Sequence, residues 1–228
     1  IAAERGLMVD LHCDESDDPL SRHIETLVYE TQRLGLKGRV TGSHLTSMHS
    51  MDNYYVSKLI PLMVEAGVHV IPNPAINIML QGRHDSYPKR RGLTRVRELR
   101  DAGITVGFGS DCMMDPWYSL GKADMLDIAF TGLHVGQLSS MADMEWCFDA
   151  VTENSACIMG LDGYGITKGC NANFVLLQAK DKIEAIRLRA HRLAVVRRGR
   201  VISTSNEVTY QLNALSNGSL NEAMRQTS

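Results

Sequence analysis

An α/β fold built on parallel strands is what this sequence predicts, and three observations predict it. Four apolar runs each end in polar residues: VDLHCDE (Val9 to Glu15), VTGSH (Val40 to His44), VHVIPNP (Val68 to Pro74) and ITVGFGSD (Ile104 to Asp111). They recur at roughly thirty-residue intervals with a helix-like segment in each gap, the rhythm of an α/β barrel. Their polar ends would meet at one mouth, because active sites of such barrels lie at the C-terminal ends of the strands. With 228 residues, 44% of them hydrophobic, the chain can bury a large core. It is nevertheless short of the roughly 250 residues of a complete barrel.

The elements follow in order. The opening IAAERG reads as the end of a helix entered midway, so residues are expected upstream; it is neither a signal nor a transit peptide. After the first strand, Leu20, Ile24, Leu27, Val28 and Leu34 recur at near-helical spacing within residues 19–34, and Gly35 closes that helix. The second strand, residues 39–44, leads to a helix over 51–66, interrupted by Pro61 and ended by Gly67. Pro72-Asn73-Pro74 stops pairing after the third strand, since proline lacks the donor. A long polar and basic loop is expected over 75–92, of the kind that is usually functional or disordered. Thr94 is expected to cap the next helix, and the fourth strand ends in Gly107-Phe108-Gly109-Ser110-Asp111.

Helices are then expected over 120–138 and 141–159, with Gly160 as a boundary. Beyond it come short β-prone pieces, 172–177, 193–197 and 200–204, with turn glycines at Gly165, Gly169 and Gly199. These read as antiparallel strands of a small accessory sheet. Residues 205–228 are polar and weakly patterned, as in a loosely attached arm. Two domains are therefore expected, 1–160 and 161–228.

Bulk properties narrow the function classes. Twenty-four Lys and Arg against 26 Asp and Glu give a net charge of −2, which argues against a nucleic-acid-binding surface. No run of about 18 apolar residues is present that could cross a membrane. The cysteines, Cys13, Cys112, Cys147, Cys157 and Cys170, form no C-x-x-C pair and are odd in number, so free thiols in a reducing cytoplasm are expected.

The strand ends carry the chemistry. His12 can bind a divalent metal directed into the mouth. Such a metal lowers the pKa of bound water toward neutrality. Glu15 lies past the strand end, out of that register, and can reach inward as a proton carrier. Asp111 can ligate the metal and accept the proton of the attacking water, and His44 can orient the nucleophile or stabilise developing charge. A single histidine at a strand end is more often a packed or surface residue, and Glu15 could be part of an acidic helix N-terminus. Three strand ends in the right order, each bearing a plausible ligand or proton carrier, favour catalysis. His23, His49, His69, His84, His134 and His191 lack that context and receive no metal role.

At these residues the sequence resembles the amidohydrolase superfamily, and within it bacterial-type cytosine deaminase, over nearly the whole chain except the tail. The general features are the H-x-x-E of His12 to Glu15, the lone His44, and Asp111 after the fourth strand. The specific ones are NPAINIMLQGRHDSYPKRRGLTRV (Asn73 to Val96), DPWYSLG (Asp115 to Gly121) and GLHVGQL (Gly132 to Leu138). The resemblance implies a distorted (β/α)8 TIM barrel with one divalent metal ion, Fe2+ or Zn2+. It makes His12 and Asp111 metal ligands, Glu15 the proton-shuttling acid that also meets the substrate, and His44 the histidine beside the attacking water. Trp117 matches an aromatic residue near the substrate pocket. The H-x-H that supplies two further ligands in the family occurs nowhere here. The family's substrate-binding glutamine also comes from an earlier strand. Both absences fit a chain that opens just before the fifth barrel strand, so the expected fold is the second half of the barrel followed by strands of a small accessory β-sandwich.

Cys112 departs from the family, where an acidic residue commonly follows the metal-binding aspartate. That leaves the reaction type intact and opens the substrate. The implied activity is hydrolytic deamination of cytosine to uracil plus ammonia, with Glu15, Cys112 and Trp117 meeting the base. The alternatives are 5-methylcytosine, isoguanine or a related N-heterocycle as substrate, and, in another class, a non-catalytic assembly subunit. Zinc deaminases of the cytidine-deaminase fold use H-x-E with P-C-x-x-C, and the chain has neither. The expected partners are a small-molecule nucleobase and further copies of the chain in a cytoplasmic homo-oligomer, without nucleic acid or membrane. The basic cluster Lys89, Arg90, Arg91, Arg95, Arg97 and Arg100 reads as a subunit contact or loop anchor.

Overall fold

Valines at the head of the first two apolar runs and within the third lead the chain into a parallel sheet of β1 (Val9–Cys13), β2 (Val40–His44) and β3 (His69–Ile71), in that spatial order. The computed structural model describes residues 1–210, so residues 211–228 of the expected arm lie outside the described residues. Register pairs Val9 with Val40 and Cys13 with His44, while Thr41 faces His69. The C-terminal ends of β1 and β2 are thereby level, which is what brings His12 and His44 to one place.

Helix α1 (Ala2–Arg5) precedes β1, α2 (His23–Arg33) returns the chain to β2, and α3 (Asn53–Ala66) returns it to β3. A 3-10 turn, Thr46–His49, follows β2. Asp52 caps α3 by accepting from the Tyr55 amide, and Gly67 ends it at φ 63°, a left-handed conformation that glycine adopts freely. The buried helix residues Ile24, Leu27, Val56, Leu59 and Met63 share one core with Val40, Val68 and Val70. β2 is buried along its whole length, whereas β1 is the sheet edge and leaves Leu11 half exposed.

The fourth run differs from the expected strand. It runs beside β3, with Val70 bonded to the Thr105 carbonyl (3.1 Å) and to the Gly107 amide (3.0 Å), and Gly109 bonded to the Pro72 carbonyl (3.0 Å). Regular pairing is reduced to a single parallel bridge, Val70 to Val106. The reason is local: β3 has only three residues, and the Phe108 amide turns away to the Ala150 carbonyl at 2.9 Å.

Residues 75–92 also differ from the expected loop. Pro74 sits in the first turn of α4 (Pro74–Leu80), where a missing amide is no loss, and Ala75, Ile76 and Asn77 are buried. Thr94 is not a cap. The helix α5 (Val96–Asp101) begins after Arg95 without a side-chain cap, and the buried Thr94 hydroxyl has no hydrogen-bond partner among the described residues. The next helix is shorter than its pattern, α6 (Met125–Val135), because Asp124 caps it by accepting from the Leu126 amide. The expected helix over 141–159 is two, α7 (Met141–Ala150) and α8 (Glu153–Ile158). The Ala150 carbonyl at the break accepts from the Phe108 amide and from the Ser155 hydroxyl, which takes it out of the helical ladder.

Three antiparallel strands follow, β4 (Phe174–Leu177), β5 (Arg192–Arg197) and β6 (Arg200–Thr204), ordered β4-β5-β6. Between β4 and β5 the chain forms α9 (Lys182–Leu188), absent from the sequence reading although Asp181, three residues before Glu184, is a capping signal. Arg192 pairs with Asp124 at 2.6 Å and ties this sheet to the cap of α6. All five cysteines are free, and among the described residues no helix is long and apolar enough to cross a membrane.

Candidate active site

Three of the four strand ends turn off through a residue in the left-handed region: Asp14 at φ 54°, His44 at 70° and Asp111 at 58°. Non-glycine residues avoid that region, and strain of about 1–3 kcal/mol per residue is typically stored at functional sites. The first turn is held by Asp14. Its carboxylate accepts from the His23 and Ile24 amides at 2.8 Å, from the Ser21 hydroxyl at 2.9 Å, and pairs with the His23 ring. Burial alone would raise this carboxyl, but those hydrogen bonds outweigh it and hold the acid below its ordinary value. The Asp14 carbonyl accepts from the Ser47 amide and the Thr46 hydroxyl, both at 3.0 Å, so the turns after β1 and β2 are fastened together.

Beyond these turns the expected residues converge. His12 Nδ1 lies 3.2 Å from His44 Nε2, with the rings edge to face. His12 Nε2 is 3.9 Å from Asp111 Oδ1, and His44 Nε2 is 4.0 Å from Asp111 Oδ2. Glu15 Oε1 stands 3.5 Å from His44 Nδ1. One ligand atom each from His12, Glu15 and His44 fall within 4.8 Å of one another. Imidazole and carboxylate donors of this kind suit zinc or iron. Two ligands bound at about 2.1 Å with tetrahedral angles stand roughly 3.4 Å apart, so His12 and Asp111 need close by only about half an ångström to share one ion.

Electrostatics divide the roles. Burial raises the Glu15 carboxyl, repulsion from Asp111 adds to this, and attraction to His12 opposes it. That favours the protonated form of the carboxyl more than in an exposed glutamate. Burial pushes His44 down to about 4, against the attraction of Asp111 and with the repulsion of His12. His44 is therefore a neutral ring.

His12, Glu15 and Asp111 open into a cavity of about 870 Å³, which Cys112 and Trp117 also line, and His44 is buried behind them. Trp117 is two-thirds exposed, whereas Cys112 is buried, with its thiol 3.6 Å from Asp111 Oδ2. Burial first, and then a hydrogen bond to Asp115, push this thiol up to about 12, so it stays neutral. The far wall is the end of α4 and residues 81–84, including Arg83 and His84. Asp17 fixes that wall: one oxygen accepts from the Gly82 amide at 2.7 Å and the other pairs with His49 at 2.9 Å.

The basic cluster serves the same scaffold. Arg90 pairs with Asp85 and donates to Ser50 at 2.6 Å, and Lys89 donates to the carbonyls of Gly82 and Asp85 at 2.9 Å. Arg95 donates to the Met48 carbonyl, and Arg97 and Arg100 both pair with Asp143. These contacts make the cluster a set of loop anchors.

Sequence reasoning missed the residues that hold His44. Asn77 Oδ1 accepts from the Asn73 amide at 3.0 Å, and Asn77 Nδ2 lies 2.9 Å from His44 Nδ1. Asn73 Nδ2 reaches the Ser43 hydroxyl at 3.3 Å. The available signal was the i, i+4 asparagine pair in Asn73-Pro74-Ala75-Ile76-Asn77. Gly109 makes room for it, since a Cβ there would fall 2.1 Å from Asn73 Oδ1.

A profile of the amidohydrolase family matches residues 1–203. The chain belongs to the amidohydrolase family. It is similar to a solved 5-methylcytosine deaminase from Klebsiella pneumoniae bound to 5-fluorocytosine, with 43% identity and a TM-score of 0.90 over 92% of this chain and 51% of that one. N-isopropylammelide isopropylaminohydrolase from Burkholderia multivorans is similar at 27% identity and a TM-score of 0.77, over 89% of this chain and 49% of that one. Among curated proteins, a pterin deaminase from Rhizobium rhizogenes is 31% identical over 90% of this chain and 47% of its own length. This amidohydrolase chain thus spans about half the length of the relatives it matches.

Proposed function

We propose that this amidohydrolase, in its intact form, deaminates a pyrimidine base by hydrolysis, converting cytosine to uracil or 5-methylcytosine to thymine with release of ammonia. The observation that carries the reading is the convergence of His12, Glu15 and Asp111, backed by the buried His44, at a cavity that Cys112 and Trp117 also line. Similarity to a 5-methylcytosine deaminase supports the substrate class.

His12 and Asp111 would hold one divalent metal ion, Fe2+ or Zn2+. Such an ion makes water acidic enough to attack at neutral pH. Asp111 is placed to take a proton from the attacking water, and His44 to direct that water's oxygen toward the carbon bearing the amino group. Glu15, raised by burial, gives its proton to the ring nitrogen, then takes the hydroxyl proton of the adduct and passes it to the departing ammonia, after which the proton that Asp111 took from water returns to Glu15. Trp117 offers an aromatic face to the base. Cys112 offers a small apolar surface where a carboxylate would be costly to desolvate against a methyl group.

In this reading residues 1–160 form the second half of a (β/α)8 barrel, with the four runs as its fifth to eighth strands. Residues 161–228 carry the strands of an accessory β-sandwich, β4 to β6, and the polar tail. The intact protein is a cytoplasmic homo-oligomer.

The test is ammonia release by the intact protein, reconstituted with Fe2+ or Zn2+, from cytosine, 5-methylcytosine, isoguanine and a pterin. Turnover of the two pyrimidines well above the others supports the reading. Preference for the pterin would move the substrate to the class named for the Rhizobium relative, and no turnover of any base would favour a non-catalytic subunit.

A further inference from the structure

We propose that Asn77 is a positioning residue that sets the tautomer of His44, so that the ring presents an N–H, not a lone pair, at Nε2. The deduction starts from the backbone. The Asn73 amide can only donate, and it meets Asn77 Oδ1 at 3.0 Å. That contact decides which end of the Asn77 amide is oxygen. Its Nδ2 then faces His44 Nδ1 at 2.9 Å, and a carboxamide nitrogen can only donate. His44 Nδ1 must accept and so cannot carry a proton, which leaves the ring proton on Nε2.

The opposite assignment fails on the same geometry. Turning Asn77 over would set its NH2 against the Asn73 amide, two donors face to face. Asn77 is fully buried and Asn73 is only 2% exposed, so water cannot relieve the conflict. The other groups around the ring agree. On the Nε2 side stands the Asp111 carboxylate, an acceptor, with Oδ2 at 4.0 Å; His12 Nδ1 also lies there at 3.2 Å, in a role set by its own tautomer. Glu15 Oε1 is 3.5 Å from Nδ1, beyond the usual range for an N–H···O bond, and does not compete with Asn77. Asn73 Nδ2 is 3.3 Å from both ring nitrogens and so favours neither.

Two consequences follow. His44 has no lone pair left for an ion, although it belongs to the group of potential ligands with His12 and Glu15. The ligand role passes to His12 and Asp111. Under the proposed deamination, on which this second consequence rests, the Nε2–H can hold the attacking oxygen with its free lone pair directed at the substrate carbon. A ring with its proton on Nδ1 would present a lone pair there and repel that oxygen. Asn77 touches neither substrate nor metal; it acts through His44.

The experiment uses the intact protein labelled with 15N-histidine, metal-free and with Zn2+. Long-range 15N–1H correlation spectra report which ring nitrogen carries the proton, and the His44 signal is assigned by its loss in His44→Asn. The expected pattern is protonation at Nε2 in both states. Asn77→Asp keeps an oxygen for the Asn73 amide and replaces the NH2 by an acceptor, so the proton should appear on Nδ1. Turnover should then fall by up to about 10⁴-fold, the loss seen when a catalytic histidine is held in the wrong tautomer. KM for the preferred base should change no more than a few-fold, and bound Zn2+ should be retained. Protonation at Nδ1 in the unmodified protein would overturn the proposal, as would Asn77→Asp with an unchanged tautomer. Should no base be turned over, the deaminase reading falls and the spectra still decide the tautomer.

Discussion

Removing the Asp14 carboxylate tests whether the first strand end is held as the structure indicates. Asp14→Ala deletes an acceptor whose side chain is fully buried. The Ser21 hydroxyl and the largely exposed His23 ring can turn to water, so their loss matters little. The amides of His23 and Ile24 are fixed at the start of α2, and Ile24 is fully buried. Each stranded amide costs about 1–3 kcal/mol, for a total of about 2–6 kcal/mol, near the top of the range for single substitutions. At an m-value of about 3 kcal/mol/M in urea, the unfolding midpoint should drop by about 1–2 M.

The pH dependence gives a second reading. Asp14 is held below its unfolded value of about 3.9, so its contribution is fully present above that value. It is lost as the pH falls through the folded pKa, and the difference between Asp14→Ala and the unmodified protein should shrink below about pH 4. A difference under about 0.5 kcal/mol at pH 7 would refute the anchoring role. So would a difference that grows in acid.

The remaining predictions concern the chemistry. Glu15→Gln keeps the size but cannot carry a proton; it should retain the metal and lose about two to four orders of magnitude in rate, and activity within a few-fold of normal would remove Glu15 from the mechanism. His12→Ala and Asp111→Ala should each lower metal content, measured by elemental analysis, together with turnover; stoichiometric metal and normal turnover in both would sink the ligand assignment. Cys112→Asp should shift kcat/KM toward cytosine and away from 5-methylcytosine by roughly 10–200-fold, the value of one methyl group in a pocket. An unchanged ratio would place Cys112 outside the specificity pocket.

The polar residues at the strand ends were legible because β-strand periodicity and parallel topology are local and repetitive. Once β1 and β2 are level, His12, Glu15 and His44 have to meet, and the run that ends in Asp111 lies along the far side of β3. The helices after β1 and β2 were legible for the same reason, from apolar spacing and terminal glycines. Errors arose where a distant backbone group intervened. Phe108 and Ser155 claim the Ala150 carbonyl and divide a continuous helical pattern into α7 and α8. Asp124 serves as both cap of α6 and partner of Arg192, so α6 starts later than its hydrophobic pattern.

The basic run was ambiguous for a related reason. A guanidinium reads as a charge in sequence, but the carbonyls that Arg91 and Arg95 reach belong to other elements. The amino-acid sequence by itself determined the β-α rhythm, the residue types at the mouth and their order along the chain, all of which follow from spacing of a few residues. Tertiary structure alone decided which nitrogen of His44 faces a donor. That depends on a buried asparagine reaching back to β2, and on a glycine at position 109 that lets Asn73 approach. Hydrogen-bond direction is a property of atoms brought together from separate segments, and no local pattern encodes it.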